Sequence, residues 1–342
     1  MFIKNKVELI HGSGGQAMNE LIDFLIVKKV KLGNVFGGIG LKDMDDGASI
    51  PLGDLELVFT SDSYTVEPLF FPGGNIGVLA ACGTINDLAV MGAKPLALMD
   101  SIIVEEGFPI SKLNEIIESL VEVTSMNNVA IVGGDFKVMP KGKMDKIIIS
   151  TSGIGIAKKN SIITDSGLKP GDKIIVTGTI GEHELSLISV REGLSFESPI
   201  ASDVAPIWPL IETSMKIGGL RAAKDPTRGG LAAALNEMAR KSNVSIWIYE
   251  ENIPIKPEVK AACEMLGLDP LYLACEGRAI LGVDCERADE ILKAIRNFEI
   301  ARTSAIIGEV RSENPGYVVL ETSIGGKRIL ESPVGMPLPR IC

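Results

Sequence analysis

Apolar and polar positions switch repeatedly between a two-residue and a helical period, which divides the chain into alternating strands and helices. In the first half the pattern predicts strands over 55–61, 96–104, 129–132 and 146–157. Helical spacing marks 16–30, 75–91 and 111–127, the last with Ser111 as its cap. The turn cluster at 167–172 separates this half from a second, with strands over 173–177, 244–249, 279–283 and 304–310. Helices there are expected over 182–191, 231–241, 257–266 and 286–296, and a hairpin over 317–330 turns at Gly325-Gly326. Both halves mix strands with helices and set Gly-Gly beside Asp, which reads as two related α/β units from a duplication. The expected division is a glycine-rich segment 1–40, a first domain 41–160, a second domain 170–312, and a hairpin with a flexible tail over 313–342.

The tail breaks the pattern. Pro333, Gly335, Pro337 and Pro339 favour an extended backbone and forbid a helix up to the terminal Cys342. The eleven residues 332–342 span on the order of 35 Å at about 3.3 Å each, enough to carry a thiol from the surface into a cleft. A frayed terminus is the plainer alternative.

Composition narrows the classes. The 342 residues, 46% of them hydrophobic, suffice for two aliphatic cores, since aromatics make up only 5%. A net charge of -10 argues against nucleic acid as the main partner. No signal-peptide pattern opens the chain and no long uncharged apolar run crosses it, so the expectation is a soluble, cytoplasmic protein with no membrane partner. Five cysteines without CxxC spacing fit neither a disulfide framework nor a zinc site. Cys82, Cys263, Cys275 and Cys285 lie among apolar residues and read as small buried hydrophobes.

Four constellations and one glycine-rich loop carry candidate chemistry. Asp45 or Asp46, Asp62, Asp87 and Asp135 sit at strand ends, in turns or on an apolar helix, the pattern needed if loops converge on magnesium and a nucleotide's phosphates. Each alone also fits a turn or a cap. Gly133-Gly134-Asp135-Phe136-Lys137 follows a buried strand, so that its glycines allow close approach of a ligand and Lys137 can meet phosphate or a carbonyl. In Asp225-Pro226-Thr227-Arg228-Gly229-Gly230 a helix start beside an Arg and a hydroxyl makes an anion seat, with a plain Asp or Thr cap as the alternative. Glu276 ends an apolar run, where burial raises a carboxyl's pKa and suits it to act as a base; pairing with Arg278 is the alternative. The loop His11-Gly12-Ser13-Gly14-Gly15 before a helix would offer backbone N–H groups to an anion.

Taken together, these segments resemble a known family. His11-Gly-Ser-Gly-Gly, Thr60-Ser-Asp-Ser-Tyr, Pro68-Leu-Phe-Phe-Pro-Gly-Gly-Asn-Ile-Gly, Asn86-Asp-Leu-Ala-Val-Met-Gly-Ala-Lys-Pro, the Gly133 and Asp225 motifs and terminal Pro339-Arg-Ile-Cys occur in the order of the [NiFe]-hydrogenase maturation factors HypE. These belong to the PurM-like aminoimidazole ribonucleotide synthetase superfamily, and the terminal Cys sets them apart from its other members. The resemblance covers essentially the whole chain. One departure is that Gly133-Gly-Asp-Phe-Lys keeps the Asp and Lys of the family's Thr-Gly-Asp-Thr-Lys but loses its hydroxyls.

The resemblance implies two PurM-like α/β domains and a homodimer whose N-terminal domains close a β-barrel, with ATP and Mg2+ near the interface. It implies carbamoylation of Cys342 by a partner HypF, ATP-dependent dehydration to a thiocyanate, and delivery of cyanide to a HypC–HypD complex. Cys342, Lys137 and Glu276 are then the expected catalytic groups, with Glu276 as base. Nucleotide would be held by Asp45, Asp46, Asp62, Asp87, Gly133, Gly134, Asp135, Lys137, Asp225, Thr227 and Arg228, and metal by Asp46, Asp62, Asp87 and Asp135. A small-molecule kinase or synthetase of the same superfamily and a non-enzymatic carrier of Cys342 are the competing readings.

Overall fold

In the computed structural model, which describes residues 6–194, 199–334 and 340–342, the first half runs α1 (Gln16–Ile22), β1 (Ala48–Leu52), β2 (Leu55–Tyr64), β3 (Phe70–Phe71), β4 (Gly74–Asn75), α2 (Ile76–Val90), β5 (Lys94–Glu105), α3 (Ile110–Met126), β6 (Ala130–Met139) and β7 (Ile147–Lys158). Five strands form one sheet in the order β1-β2-β7-β5-β6, antiparallel except for the parallel pair β5–β6. This sheet is open, with β1 and β6 as its edges.

The second half continues β8 (Lys173–Val176), α4 (Glu182–Arg191), α5 (Trp208–Ile217), β9 (Leu220–Lys224), α6 (Gly230–Ser242), β10 (Ser245–Tyr249), α7 (Pro257–Leu266), β11 (Ile280–Val283), α8 (Ala288–Ile295), β12 (Ala305–Arg311), β13 (Val318–Glu321) and β14 (Lys327–Ile329). Its seven strands lie in the order β14-β13-β10-β12-β8-β11-β9. The hairpin pairs Val319 with Ile329 and Glu321 with Lys327, as its sequence predicts, and extends this sheet.

Helix α2 joins the halves. It begins at Asn75, whose Oδ1 accepts from the Gly77 and Val78 N–H groups at 2.8 and 3.2 Å. Small residues let its neighbours close in: a Cβ on Gly77 would lie 2.0 Å from the Ile116 carbonyl oxygen, and one on Gly83 would lie 2.3 Å from the Tyr64 hydroxyl. One face packs on β2, β5 and β7, another on α3, and its last turn places Ala89 and Val90 in a core with Ile207, Leu210 and Ile211 of the second half. Each Leu or Ile fully buried here contributes about 1.5–3 kcal/mol. Asn86 supplies the polar link, donating from Nδ2 to the carbonyls of Ala205 (3.0 Å) and Glu276 (3.1 Å) while its Oδ1 accepts from the Ile207 N–H (2.9 Å).

Several expectations need correction. Strand β1 lies in the Gly- and Asp-rich run and contains Pro51, which only an edge strand tolerates. Helix α5 and strand β9 were also unpredicted; Gly218 and Gly219, both at positive φ, turn the chain between them. The helix expected over 16–30 is shorter, with α1 running into a single π turn at Asp23–Val27. Pro109 caps α3, leaving Ser111 inside the first turn. Strand β6 does not stop at Val132 but continues through Gly133-Gly134 to Met139, exposed along its whole length. Cys285 is exposed, because it falls in the turn between β11 and α8; Cys82, Cys263 and Cys275 are buried.

Replacing Asn86 with Ala strands three backbone groups at the junction of the halves. The variant is expected to lose about 3 kcal/mol of stability in chemical denaturation; a loss below about 1 kcal/mol would show that the junction does not depend on this side chain.

Candidate active site

A cavity of about 610 Å³ opens where β2, α2 and the β9–α6 connection meet. Asp45 and Asp46 enter from the loop before β1, Asp62 from β2 and Asp87 from α2, while Asp225, Thr227 and Arg228 enter from the second half. Seven residues marked in the sequence therefore line one space. Gly14 and Gly15 line it too, but the N–H groups of Gln16 and Ala17 donate to the carbonyls of Pro333 and Val334 at 3.2 Å, so the anion seat expected there is filled by the chain itself.

The acids are crowded, with Asp225 buried and Asp45, Asp46, Asp62 and Asp87 only partly exposed. Thr60 Oγ1 lies 2.7 Å from Asp87 Oδ2, and burial together with Asp62 and Asp225 pushes the Asp87 carboxyl well above the usual range. Burial, with Asp165 and Asp46, raises Asp45 to about 7, and burial with Asp46 raises Asp225 to about 8. Behind them runs an ionic belt that the sequence did not reveal. Lys224 Nζ meets Asp46 at 2.6 Å, Glu237 at 3.4 Å and Asp165 at 3.5 Å, and Lys241 holds Asp165 at 2.7 Å. Burial works against the charge on Lys224, but Asp46, Glu237 and Asp165 outweigh it and hold its pKa above the ordinary lysine value.

Among the described residues, no three His, Cys, Asp or Glu side chains converge closely enough to hold a metal by themselves. Asp46 Oδ2 and Asp225 Oδ2 are buried without a hydrogen-bond partner there. Such a donor set suits magnesium, which takes one or two carboxylates and completes its shell with water and phosphate oxygens.

Beside this cavity lies a smaller one of about 200 Å³, lined by Ser13, Ser63, Thr65, Arg228 and the chain end Arg340–Cys342. Arg228 Nη1 donates to Cys342 Sγ at 3.0 Å. Burial raises the Cys342 thiol to about 11; Arg228 opposes that shift, and Glu276 and Asp62 add to it. The last three residues are thus docked here, and residues 335–339 of the expected flexible tail lie outside the described residues.

Residues 44–157 match the AIR synthase related protein N-terminal domain, and residues 169–321 match its C-terminal domain. A carbamoyl dehydratase HypE of Rhizobium leguminosarum bv. viciae is 44% identical over 98% of this chain and 95% of its own. The chain belongs to the HypE carbamoyl dehydratase family. A solved HypE–HypF complex contains a similar chain with 41% identity and a TM-score of 0.85, covering 93% of this chain and 100% of that one. A hydrogenase maturation protein HypE solved in complex with ATP is similar at 38% identity and a TM-score of 0.82, covering 98% and 100%.

Five of the residues that the HypE resemblance singles out, Gly133, Gly134, Asp135, Lys137 and Glu276, line neither cavity. Asp135 and Lys137 pair with each other on exposed β6, at the far edge of the first sheet from β1, and Gly133 and Gly134 precede them on the same strand. Asp135 therefore does not reach the other acids within one chain. The extended strand carries the motif past them, because nothing in it turns the backbone.

Glu276 is close enough to the docked thiol to shift its pKa. Its carboxyl is buried, raised well above the usual range by burial, Asp225 and Asp203, and its Oε1 lacks a hydrogen-bond partner among the described residues. Its loop is gripped by acids missed in the sequence: Asp203 accepts from the N–H groups of Glu276 and Gly277, each at 3.2 Å, and Glu184 Oε2 accepts from Ala274 N–H at 2.9 Å. Arg278 meets Asp203 and Glu182 and makes no ion pair with Glu276. The available signal was the run Glu182-His183-Glu184, three titratable residues opening a helix with apolar surroundings.

Burial raises Glu184 to about 7 against the pull of the Ala274 N–H and Arg191. A carboxyl with a raised folded-state pKa binds its proton more tightly when folded, so its contribution to stability is present below the unfolded value and is lost as pH rises towards 7. Glu184→Gln should therefore gain on the native chain between pH 5 and pH 8, by on the order of 3 kcal/mol in chemical denaturation. Parallel stability curves for the two chains would refute the assignment.

Proposed function

We propose that the chain is an ATP-dependent dehydratase of an S-carboxamide carried on its own Cys342. The observation that carries this reading is Arg228, which lines the acid cavity and at the same time holds the Cys342 sulfur in the adjoining pocket. A nucleotide in the first space and a thiol-borne group in the second would meet at that side chain.

An amide oxygen is a poor leaving group, and transfer of the ATP γ-phosphoryl to it turns loss of water into loss of phosphate. The S-carboxamide and ATP give the thiocyanate, ADP and phosphate, with the two amide protons released to bases. Asp46 and Asp225, each with a buried unpartnered Oδ2, would hold Mg2+ together with phosphate oxygens and water, with Asp62 and Asp87 facing the same space; the ion supplies charge neutralisation at the transferring phosphoryl group. Arg228 orients the sulfur end of the substrate. Glu276, dry and without a hydrogen-bond partner for Oε1 among the described residues, takes a proton from nitrogen. Docking by the chain's own end makes delivery intramolecular.

The same proposal includes a homodimer. Strand β6 leaves a ten-residue edge unpaired, and Val132, Phe136 and Val138 on it are more than half exposed. A second copy pairing through the first sheets would close the barrel and bring its Gly133, Gly134, Asp135 and Lys137 to the acid cavity of the first. HypF as carbamoyl donor and a HypC–HypD complex as cyanide acceptor complete the reading, and it is a cytoplasmic one. Among the described residues no helix is long and apolar enough to cross a membrane.

Asp87→Asn should abolish MgATP turnover with the fold intact, and Cys342→Ala should bind MgATP normally but show no turnover when the carbamoyl-donating system is supplied. Turnover in Cys342→Ala equal to that of the native chain would mean that the substrate lies elsewhere. Mixing Asp87→Asn with Lys137→Ala chains tests the shared site: each mixed dimer holds one intact site, so about a quarter of native activity returns. No recovery despite subunit exchange, with each variant inactive alone, would place Asp87 and Lys137 in one chain's site and contradict the shared site.

A further inference from the structure

The docked end of the chain is read mainly through its backbone. Thr65 N–H donates to the Cys342 carbonyl oxygen at 2.9 Å and Glu67 N–H to the Arg340 carbonyl at 3.1 Å, so the last three residues add an antiparallel segment beyond β2. Ile341 sinks into the core shared by Val66, Leu69 and Leu187, leaving only 3% of its surface exposed. Arg191 donates to the Arg340 carbonyl and, at 2.6 Å, to that of Glu67, while Arg340 returns a bond to the Thr65 carbonyl at 2.7 Å.

The remaining carbonyl, that of Ile341, lies 2.8 Å from Nε2 of His183. This imidazole is completely buried and takes no part in the chemistry above. A carbonyl oxygen only accepts, so the proton sits on Nε2, and Nδ1 must accept from the Ser202 hydroxyl at 2.7 Å. Ser202 is fixed in turn, since its Oγ accepts from Val204 N–H at 3.1 Å and its own N–H donates to the Pro72 carbonyl at 2.7 Å. The edge of Phe71 against the ring, at 5.4 Å and 89°, fixes its plane. Burial lowers the imidazole's pKa to about 4, which keeps it a single-proton donor at neutral pH.

We propose that His183, oriented by Ser202 and Phe71, is the positioning residue that docks the Arg340-Ile341-Cys342 segment by donating to the Ile341 carbonyl. The donor is placed one residue from the reactive sulfur, so it sets the depth of Cys342 against Arg228 without touching the transferred group. Its importance for dehydration rests on the function proposed above; its role in docking does not.

The test is the rate of iodoacetamide alkylation at Cys342 in the full-length chain, followed by mass spectrometry without nucleotide or carbamoyl donor. His183→Ala should speed alkylation of Cys342 on the order of tenfold. His183→Gln, whose amide keeps a donor at the Nε2 position, should restore most of the protection. Buried Cys82, Cys263 and Cys275 should stay slow and exposed Cys285 fast in every variant. An unchanged Cys342 rate in His183→Ala overturns the proposal, and so does acceleration shared by the three buried cysteines, which would report general loosening. If His183→Ala does not fold, Ser202→Ala decides: freeing the ring should raise the Cys342 rate about threefold, and an unchanged rate overturns the assignment. Because the assay contains no ATP, the expected acceleration in His183→Ala together with absent dehydration in the native chain would count against the proposed function alone.

Discussion

Burial of several like charges side by side is the constraint on which this molecule turns. Asp45, Asp46, Asp62, Asp87 and Asp225 face one cavity, and crowding carboxylates that are largely withdrawn from water is unfavourable. Lys224 and Lys241 offset part of that cost from behind, through Asp46, Asp165 and Glu237. What they do not offset appears as raised carboxyl pKa values and as unpartnered oxygens on Asp46 and Asp225. A divalent ion with a polyphosphate would relieve this strain, so the fold stores an electrostatic preference for its ligand.

The same constraint explains why the two halves share α2. The helix is apolar enough to be buried on nearly every side, yet it carries Asp87 towards the cavity and Asn86 towards the second half. Asn86 bonds the Glu276 carbonyl, so the loop holding the candidate base is registered against the helix holding the candidate metal ligand. Arg228 extends the connection to Cys342. Acid cavity, base loop and thiol are therefore linked by a short series of side chains.

Much of the first sheet, the second-half helices and the hairpin was legible because their periods were clean. β1 was hidden by Gly, Asp and Pro at an edge, and α5 with β9 by a Gly-Gly turn that looks like loop. Among site residues, those beside glycine or embedded in an apolar helix were legible: Asp87, Asp225, Arg228 and Glu276 each break a local pattern. Lys224, Asp165 and Glu237 break none, since each is ordinary for its element and becomes informative only when distant segments meet. The prolines up to Pro339 indicate an extended approach to the thiol, but no local rule says that Ile341 has a core pocket waiting or that His183 faces its carbonyl. Asp135 and Lys137 show the opposite case, a motif plain in the sequence that lies on an exposed edge strand away from both cavities.

The central claim is that the cysteine ending this chain is where a carboxamide becomes a thiocyanate. Mass spectrometry of the C-terminal peptide, after incubation with a carbamoyl donor, HypF and MgATP, tests it directly. The account predicts a carboxamide adduct on Cys342 that loses one water only when ATP is present. A carboxamide that persists while ATP is consumed, or a dehydrated product on another cysteine, would contradict it.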